Sequence, residues 1–167
     1  MMKTLHWGIV ALLVASAANL CVMVPGGPIE ERDFSAISPI ILGSFNLFLT
    51  LLGLSSFALA YLIASKRYNG YILASLIGLG YFAVYALDLA FIFPKSPTPM
   101  PELLFKLEWL GIFLAIPLIL GAAMMSKQTA QHEPAARGAT FTLPVILGAG
   151  VLIVAIVTFS TYSAMGL

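Results

Sequence analysis

Long apolar runs alternate with short polar segments along the whole chain. Five runs stand out, at residues 5–24, 39–64, 71–93, 103–125 and 143–162. At a helical rise of about 1.5 Å per residue, each is long enough to cross roughly 30 Å of hydrocarbon. The runs show neither strand alternation nor a narrow amphipathic stripe. The pattern predicts an all-α, polytopic integral membrane bundle of about five transmembrane helices, folded as a single domain over residues 1–167.

The polar segments carry the residues that begin and end helices. Ser38 and Pro39 are typical of a helix N-cap followed by its first residue, and Pro101 with Glu102 marks the start of the fourth helix. Residues 94–101 contain four prolines and predict a stiff connection. The longest polar segment, residues 126–142, lacks apolar periodicity and is expected to be a mobile loop.

The first run also has features of a secretory signal. A lysine precedes it, and Ala15-Ser16-Ala17 matches a small-residue cleavage site. The run is longer than the usual apolar region of a signal, of roughly 7–15 residues. We therefore expect an uncleaved first helix, and the alternative is a four-helix bundle.

Composition agrees with a bilayer environment. Hydrophobic residues make up 60% of the chain and charged residues only 9%, and the mean hydropathy is +1.02. Soluble domains carry about a quarter charged residues. The formal net charge of +1 supplies no field that would attract nucleic acid. Membrane lipids are the expected partners, and nucleic acid is not.

The residues that usually hold cofactors are scarce. Cys21 is the only cysteine, which rules out an internal disulfide and a thiolate cage. The chain has two histidines, His6 and His132, and only His6 lies near a predicted span. We therefore expect no haem, metal or other cofactor.

Lysines and arginines predict the orientation of the bundle. Five of them fall on the side of the N-terminus and three on the opposite side. The positive-inside rule then places the N-terminus in the cytoplasm and, with five spans, the C-terminus outside. The sequence thus predicts a multi-pass protein of the plasma (inner) membrane.

Polar residues within the spans are the candidate functional residues. Asp88 and Glu108 are carboxylates about five residues from the predicted outer ends of their helices. Asn19 reaches the same depth, Asn46 lies slightly deeper, and Tyr85 shares a helix face with Asp88. Four helices therefore bring polar groups to one level of the outer leaflet. Charged groups in a span cost roughly 2.5–3.5 kcal/mol near the centre and usually serve a function.

A structural role for this layer remains open at this point. The carboxylates have Lys95, Lys106 and Arg32 as available countercharges, and polar side chains also hold helices together. Whether Asp88 and Glu108 face each other depends on helix rotations that the pattern does not fix.

These features favour a membrane-embedded binding protein or accessory subunit. The candidate ligand-binding residues are Asp88, Glu108, Asn46, Tyr85 and Asn19. An outward loop is a candidate contact for a membrane protein complex or a homo-oligomer, through these residues: Glu30, Glu31, Arg32 and Asp33. A small transporter or sensor for a cation, proton or small ligand, using Asp88 and Glu108, is the first alternative. An intramembrane enzyme acting on a lipid-like substrate ranks last, because no nucleophile or phosphate-binding motif accompanies the carboxylates.

Overall fold

Each apolar run forms an α-helix in the computed structural model, which describes residues 2–130 and 142–166. The helices are α1 (Met2–Val22), α2 (Pro39–Ala64), α3 (Tyr71–Leu89), α4 (Glu102–Ala130) and α5 (Leu143–Ala164). All five are long and apolar enough to cross a membrane. The prediction of an all-α membrane bundle with five spans is confirmed.

Four of the helices form the packed bundle, and the fifth lies at its side. The most extensive contacts join α3 to α4, and α1 packs on both α2 and α4. Along α3 and α4 the small residues Ala74, Gly78, Gly111 and Ala115 are buried and allow close approach. By contrast, α5 packs only on α2 among the described helices and leaves most of its surface exposed. Lipid tails are as apolar as leucine, so a lipid-facing α5 needs no protein partner.

Two helix ends differ from the sequence prediction. The apolar run 71–93 extends beyond α3, because Phe91 adopts a left-handed conformation (φ 56°) and the Ile92 N–H donates to the Leu87 carbonyl at 2.9 Å. This is a Schellman termination without glycine. In the other direction, α4 continues through residues 126–130, which were predicted to be loop. Its last turn carries Lys127, which suits the helix dipole. The rest of the predicted mobile loop, residues 131–141 with His132, lies outside the described residues.

The turn after α2 supplies a stability prediction. Lys66 is exposed and also adopts a left-handed conformation, with φ 56°. Such a backbone costs a residue with a side chain about 1 kcal/mol relative to glycine. We expect Lys66→Gly to raise the free energy of unfolding in detergent by about that amount. The control is Arg67→Gly, at a neighbouring position where φ is not positive, and it should stabilise nothing. Equal effects of the two variants would contradict this explanation.

Candidate functional site

At one end of the bundle, α1 and α3 end and α2 and α4 begin; we call it the capped end. The loop between α1 and α2 folds inward at this end. Burial alternates along it: Glu30, Arg32 and Phe34 are buried, whereas Glu31 and Asp33 are exposed. This period of two is that of an extended chain with one face on the core. The loop therefore inserts a guanidinium group between the helices.

Arg32 bridges two buried carboxylates. Its Nη1 and Nη2 donate to Asp88 Oδ1 and Oδ2 at 2.8 and 2.7 Å. Its Nε and Nη2 donate to Glu30 Oε1 and Oε2 at 2.9 and 2.6 Å. Both pairs are bidentate, which is the strongest arrangement of guanidinium and carboxylate. Only 4% of the Arg32 side chain is exposed.

The ion pair between Arg32 and Asp88 compensates a negative charge at the C-terminal end of α3. Asp88 lies one residue before the last residue of the helix, where the dipole disfavours negative charge. Arg32 supplies the compensating charge from the loop. Burial alone lowers the pKa of Arg32, but the hydrogen bonds and charges of Asp88 and Glu30 outweigh it and hold that pKa above its ordinary value. Arg32 is therefore charged at every accessible pH.

Hydrogen bonds fix this loop to its surroundings. The Asp33 N–H donates to Thr98 Oγ1 at 3.0 Å, and the Ser96 hydroxyl donates to the Asp33 carbonyl at 2.7 Å. The Phe34 N–H donates to the carbonyl of Ala164 at the end of α5, at 2.9 Å. The proline-rich connection and α5 thus hold the loop that positions Arg32.

Glu108 lies beside this ion-pair cluster, and within the described part of the chain it has no basic residue as an ion-pair partner. It is only 3% exposed, and its Oε2 is buried without a hydrogen-bond partner among the described residues. It borders a cavity of about 50 Å³ together with other polar side chains. These polar neighbours are Glu30, Arg32, Asn46, Tyr85 and Asp88. Asp88 is thus an acidic neighbour of Glu108 in the wall of the same cavity.

The structure brings the predicted ligand-binding residues together. Asp88, Glu108, Asn46 and Tyr85 all border this one cavity. Asn19 stands behind it: its Nδ2 donates to the Leu107 carbonyl at 3.0 Å and to the Tyr85 hydroxyl at 3.4 Å. Asn19 therefore orients Tyr85 and α4 rather than facing the cavity. Whether these residues bind a ligand stays a prediction.

Asn46 connects the cavity to α5. Its Nδ2 donates to Thr161 Oγ1 at 3.1 Å. This hydrogen bond ties α2 to the last turns of α5, close to where Phe34 is anchored. Asn46 thereby lies between the polar cavity and the fifth helix.

The charged residues of the predicted partner-binding loop differ in exposure. Glu30 and Arg32 are buried because they pair with each other and Arg32 also pairs with Asp88. Glu31 and Asp33 are exposed. A partner contact through this loop stays a prediction. Lys106, an expected countercharge, pairs instead with Glu102 one turn away, and both side chains are exposed.

Fold and cluster together define a small polytopic membrane protein with a buried ion-pair site at one end of a helical bundle. A family model described as Domain of unknown function (DUF8051) matches residues 5–137, well over half of the chain. The chain belongs to this family, and the match includes α2 to α4, α1 from its fourth residue onward, and every residue of the cluster. No curated protein and no solved structure matches the chain significantly.

Proposed function

We propose that the protein is a membrane-embedded binding protein whose cavity at the capped end takes a small cationic group, with Glu108 as its principal ligand. The observation that carries this proposal is the buried Oε2 of Glu108, a residue that borders the cavity. This atom has no hydrogen-bond partner among the described residues. Buried polar atoms normally have partners, and one without a partner in a cavity is a recognised sign of a binding site.

Charge balance favours a cation. Three carboxylates, Glu30, Asp88 and Glu108, face the single guanidinium of Arg32. Arg32 pairs with Glu30 and Asp88, which leaves Glu108 as the carboxyl group of the three without a basic partner among the described residues. Two neighbouring carboxylates repel each other unless a proton or a cation lies between them. A bound cation would compensate the charge of an ionised Glu108, and Arg32 does not compete for Glu108 because both of its carboxylate pairs are already formed.

The chemistry of the cluster favours an organic cation over a metal ion. Within the residues that the structure describes, no group of three His, Cys, Asp or Glu side chains could hold a metal. An ammonium group needs fewer anionic ligands and carries up to three donors. Suitable acceptors are Glu108 Oε2, the remaining lone pairs of Asp88 and the side-chain amide oxygen Oδ1 of Asn46.

A matched set of variants tests binding. Methylammonium chloride should raise the thermal unfolding midpoint of the purified protein in detergent, because a ligand that binds only the folded state stabilises it. Glu108→Gln should abolish this rise. Glu102→Gln, in the same helix but exposed, should retain it. Sodium chloride at equal ionic strength controls for screening. An equal rise in wild type and Glu108→Gln would overturn the proposal.

Stability without ligand separates a binding role from a structural one. A binding carboxylate is held at a cost in stability, so Glu108→Gln should unfold at a midpoint no lower than that of the wild type. Asp88→Asn should lower the free energy of unfolding by roughly 3 kcal/mol, because it weakens the buried pair with Arg32. A loss for Glu108→Gln as large as that for Asp88→Asn would identify Glu108 as structural.

The proposal includes the plasma membrane as location, with the N-terminus in the cytoplasm and the capped end outside. The uneven distribution of lysine and arginine supports this orientation. Accessory-subunit and transport roles are compatible with the same cavity, and both would use the cation site.

A further inference from the structure

A groove runs along α2 next to the polar cavity. Both α1 and α5 pack on α2, but these two helices do not contact each other within the described residues. The space between them is a groove of about 340 Å³. Pockets for small ligands have volumes of roughly 300–1,000 Å³.

The lining of the groove is suited to hydrocarbon. Side chains such as Leu49, Phe57 and Phe159 form most of it. Its two hydroxyl groups are already satisfied: Thr50 donates to the Asn46 carbonyl at 2.7 Å, and Ser160 donates to the Val157 carbonyl at 3.3 Å. A hydrocarbon chain can contact such a surface without leaving these hydroxyl groups buried and unpaired.

The groove and the polar cavity adjoin each other. They share five lining residues, namely Leu20, Met23, Pro25, Asn46 and Leu49. Asn46 is the polar member of this shared wall, and none of the five carries a charge. An occupant that extends from the groove into the cavity on this side therefore breaks no ion pair of Arg32.

Access from the loop side is different. A depression of about 390 Å³ lies under the proline-rich connection, and it shares Arg32 and Pro94 with the cavity. The guanidinium group, held by four hydrogen bonds to Asp88 and Glu30, stands at this boundary. A ligand that arrives this way would have to displace it. The side of the cavity that adjoins the groove has no such ion pair in its shared wall, so it is the side on which we expect a ligand to extend.

The size of the cavity limits the head of the ligand. A volume of about 50 Å³ accommodates one or two water-sized groups. A primary ammonium group has this size, whereas a trimethylammonium group carries three further methyl groups around its nitrogen. A positive head would pair with the carboxylate of Glu108, and the volume of the cavity selects the smaller head.

We infer that the cavity and the groove together bind one amphiphile, with a primary ammonium head at Glu108 and a hydrocarbon tail between α1 and α5. This inference rests on the proposed function and adds the class of ligand. The tail is the proposed occupant of the groove because the groove is apolar and adjoins the cavity that Glu108 borders.

The test uses the full-length protein in lipid nanodiscs and four amine or alcohol probes. Tetradecylamine is compared with tetradecyltrimethylammonium and tetradecanol at equal mole fraction, and with methylammonium in the aqueous phase. The readout is the thermal unfolding midpoint as a function of probe concentration. Tetradecylamine should stabilise the wild type at concentrations at least roughly tenfold lower than its trimethylammonium analogue, which loses the charge-assisted hydrogen bonds.

Two variants of α5 examine the tail. Ala155 lines the groove and is exposed, so Ala155→Phe should fill the groove and weaken the response to tetradecylamine by roughly tenfold or more. The response to methylammonium should persist in Ala155→Phe. Val154→Phe, on the adjacent exposed position outside the groove, is the matched control and should behave as the wild type.

The outcomes distinguish this inference from the proposed function. If Ala155→Phe responds to tetradecylamine as the wild type does, or if the long amine is no better than methylammonium, the tail site is wrong and the cation site stands. If neither amine stabilises the wild type, both are wrong. A stronger response to tetradecanol than to tetradecylamine would show that the apolar groove binds without the carboxylate and would also overturn the inference.

Discussion

Replacement of Arg32 by methionine is expected to lower the free energy of unfolding by roughly 3–5 kcal/mol, the usual cost of removing one partner from a buried ion pair. The variant leaves Asp88 and Glu30 buried, with four charge-assisted hydrogen bonds lost. Equilibrium unfolding in mixed detergent micelles measures the change. Lys95→Met is the control, because Lys95 is an exposed residue of the neighbouring connection.

Two companion variants make the Arg32 prediction more specific. Arg32→Lys keeps the charge but should restore only part of the stability, since an ammonium group cannot form two bidentate pairs. The triple variant with Glu30→Gln, Arg32→Met and Asp88→Asn should be more stable than Arg32→Met alone, because no unpaired partner of Arg32 remains buried. If Arg32→Met is as stable as Lys95→Met, the ion-pair cluster does not hold the capped end together.

The second large effect concerns the contact between α3 and α4. A Cβ atom on Gly111 would overlap the ring of Tyr85, and this ring is buried and stacked on Tyr81 with centroids 6.2 Å apart. Gly111→Ala is therefore expected to lower the free energy of unfolding by about 1–3 kcal/mol, the range for overpacked cores. Equilibrium unfolding again measures the change.

A double-mutant cycle shows whether the ring is the cause. In a Tyr85→Ala background, Gly111→Ala should cost little, since the overlapping ring is gone. As a control, Gly148→Ala on α5 meets no other described atom within 4 Å and should stabilise the helix by about 1 kcal/mol. Stabilisation by Gly111→Ala as well would contradict the observed close approach of the helices.

Much of the helical architecture was predictable because the bilayer imposes a length on each span. The run 39–64 coincides with α2, since Pro39 fixes its start and a polar turn follows Ala64. The end of α3 was not predictable from apolar character. Residues 90–93 remain apolar, and the chain turns at Phe91, where no glycine indicates the end of the helix.

The level of the candidate site along the helices was predictable, but its ion pairs were not. Counting helical rise brought Asp88 and Glu108 to one level, and the face shared by Tyr85 and Asp88 is confirmed as a buried face. The sequence analysis did not predict the burial of Arg32, because an arginine flanked by acidic residues in a loop is usually exposed to solvent. One signal was present: Phe34 lies two residues after Arg32, and an apolar residue at that spacing indicates that the same side of an extended chain faces the core.

The most direct test of the cation site is native mass spectrometry of the protein extracted from its own membrane in mild detergent. We expect a bound molecule with a basic amine on the wild type and on Glu102→Gln. We expect none on Glu108→Gln. Identical spectra for the three proteins, with no amine bound in excess on the wild type, would contradict the cation site.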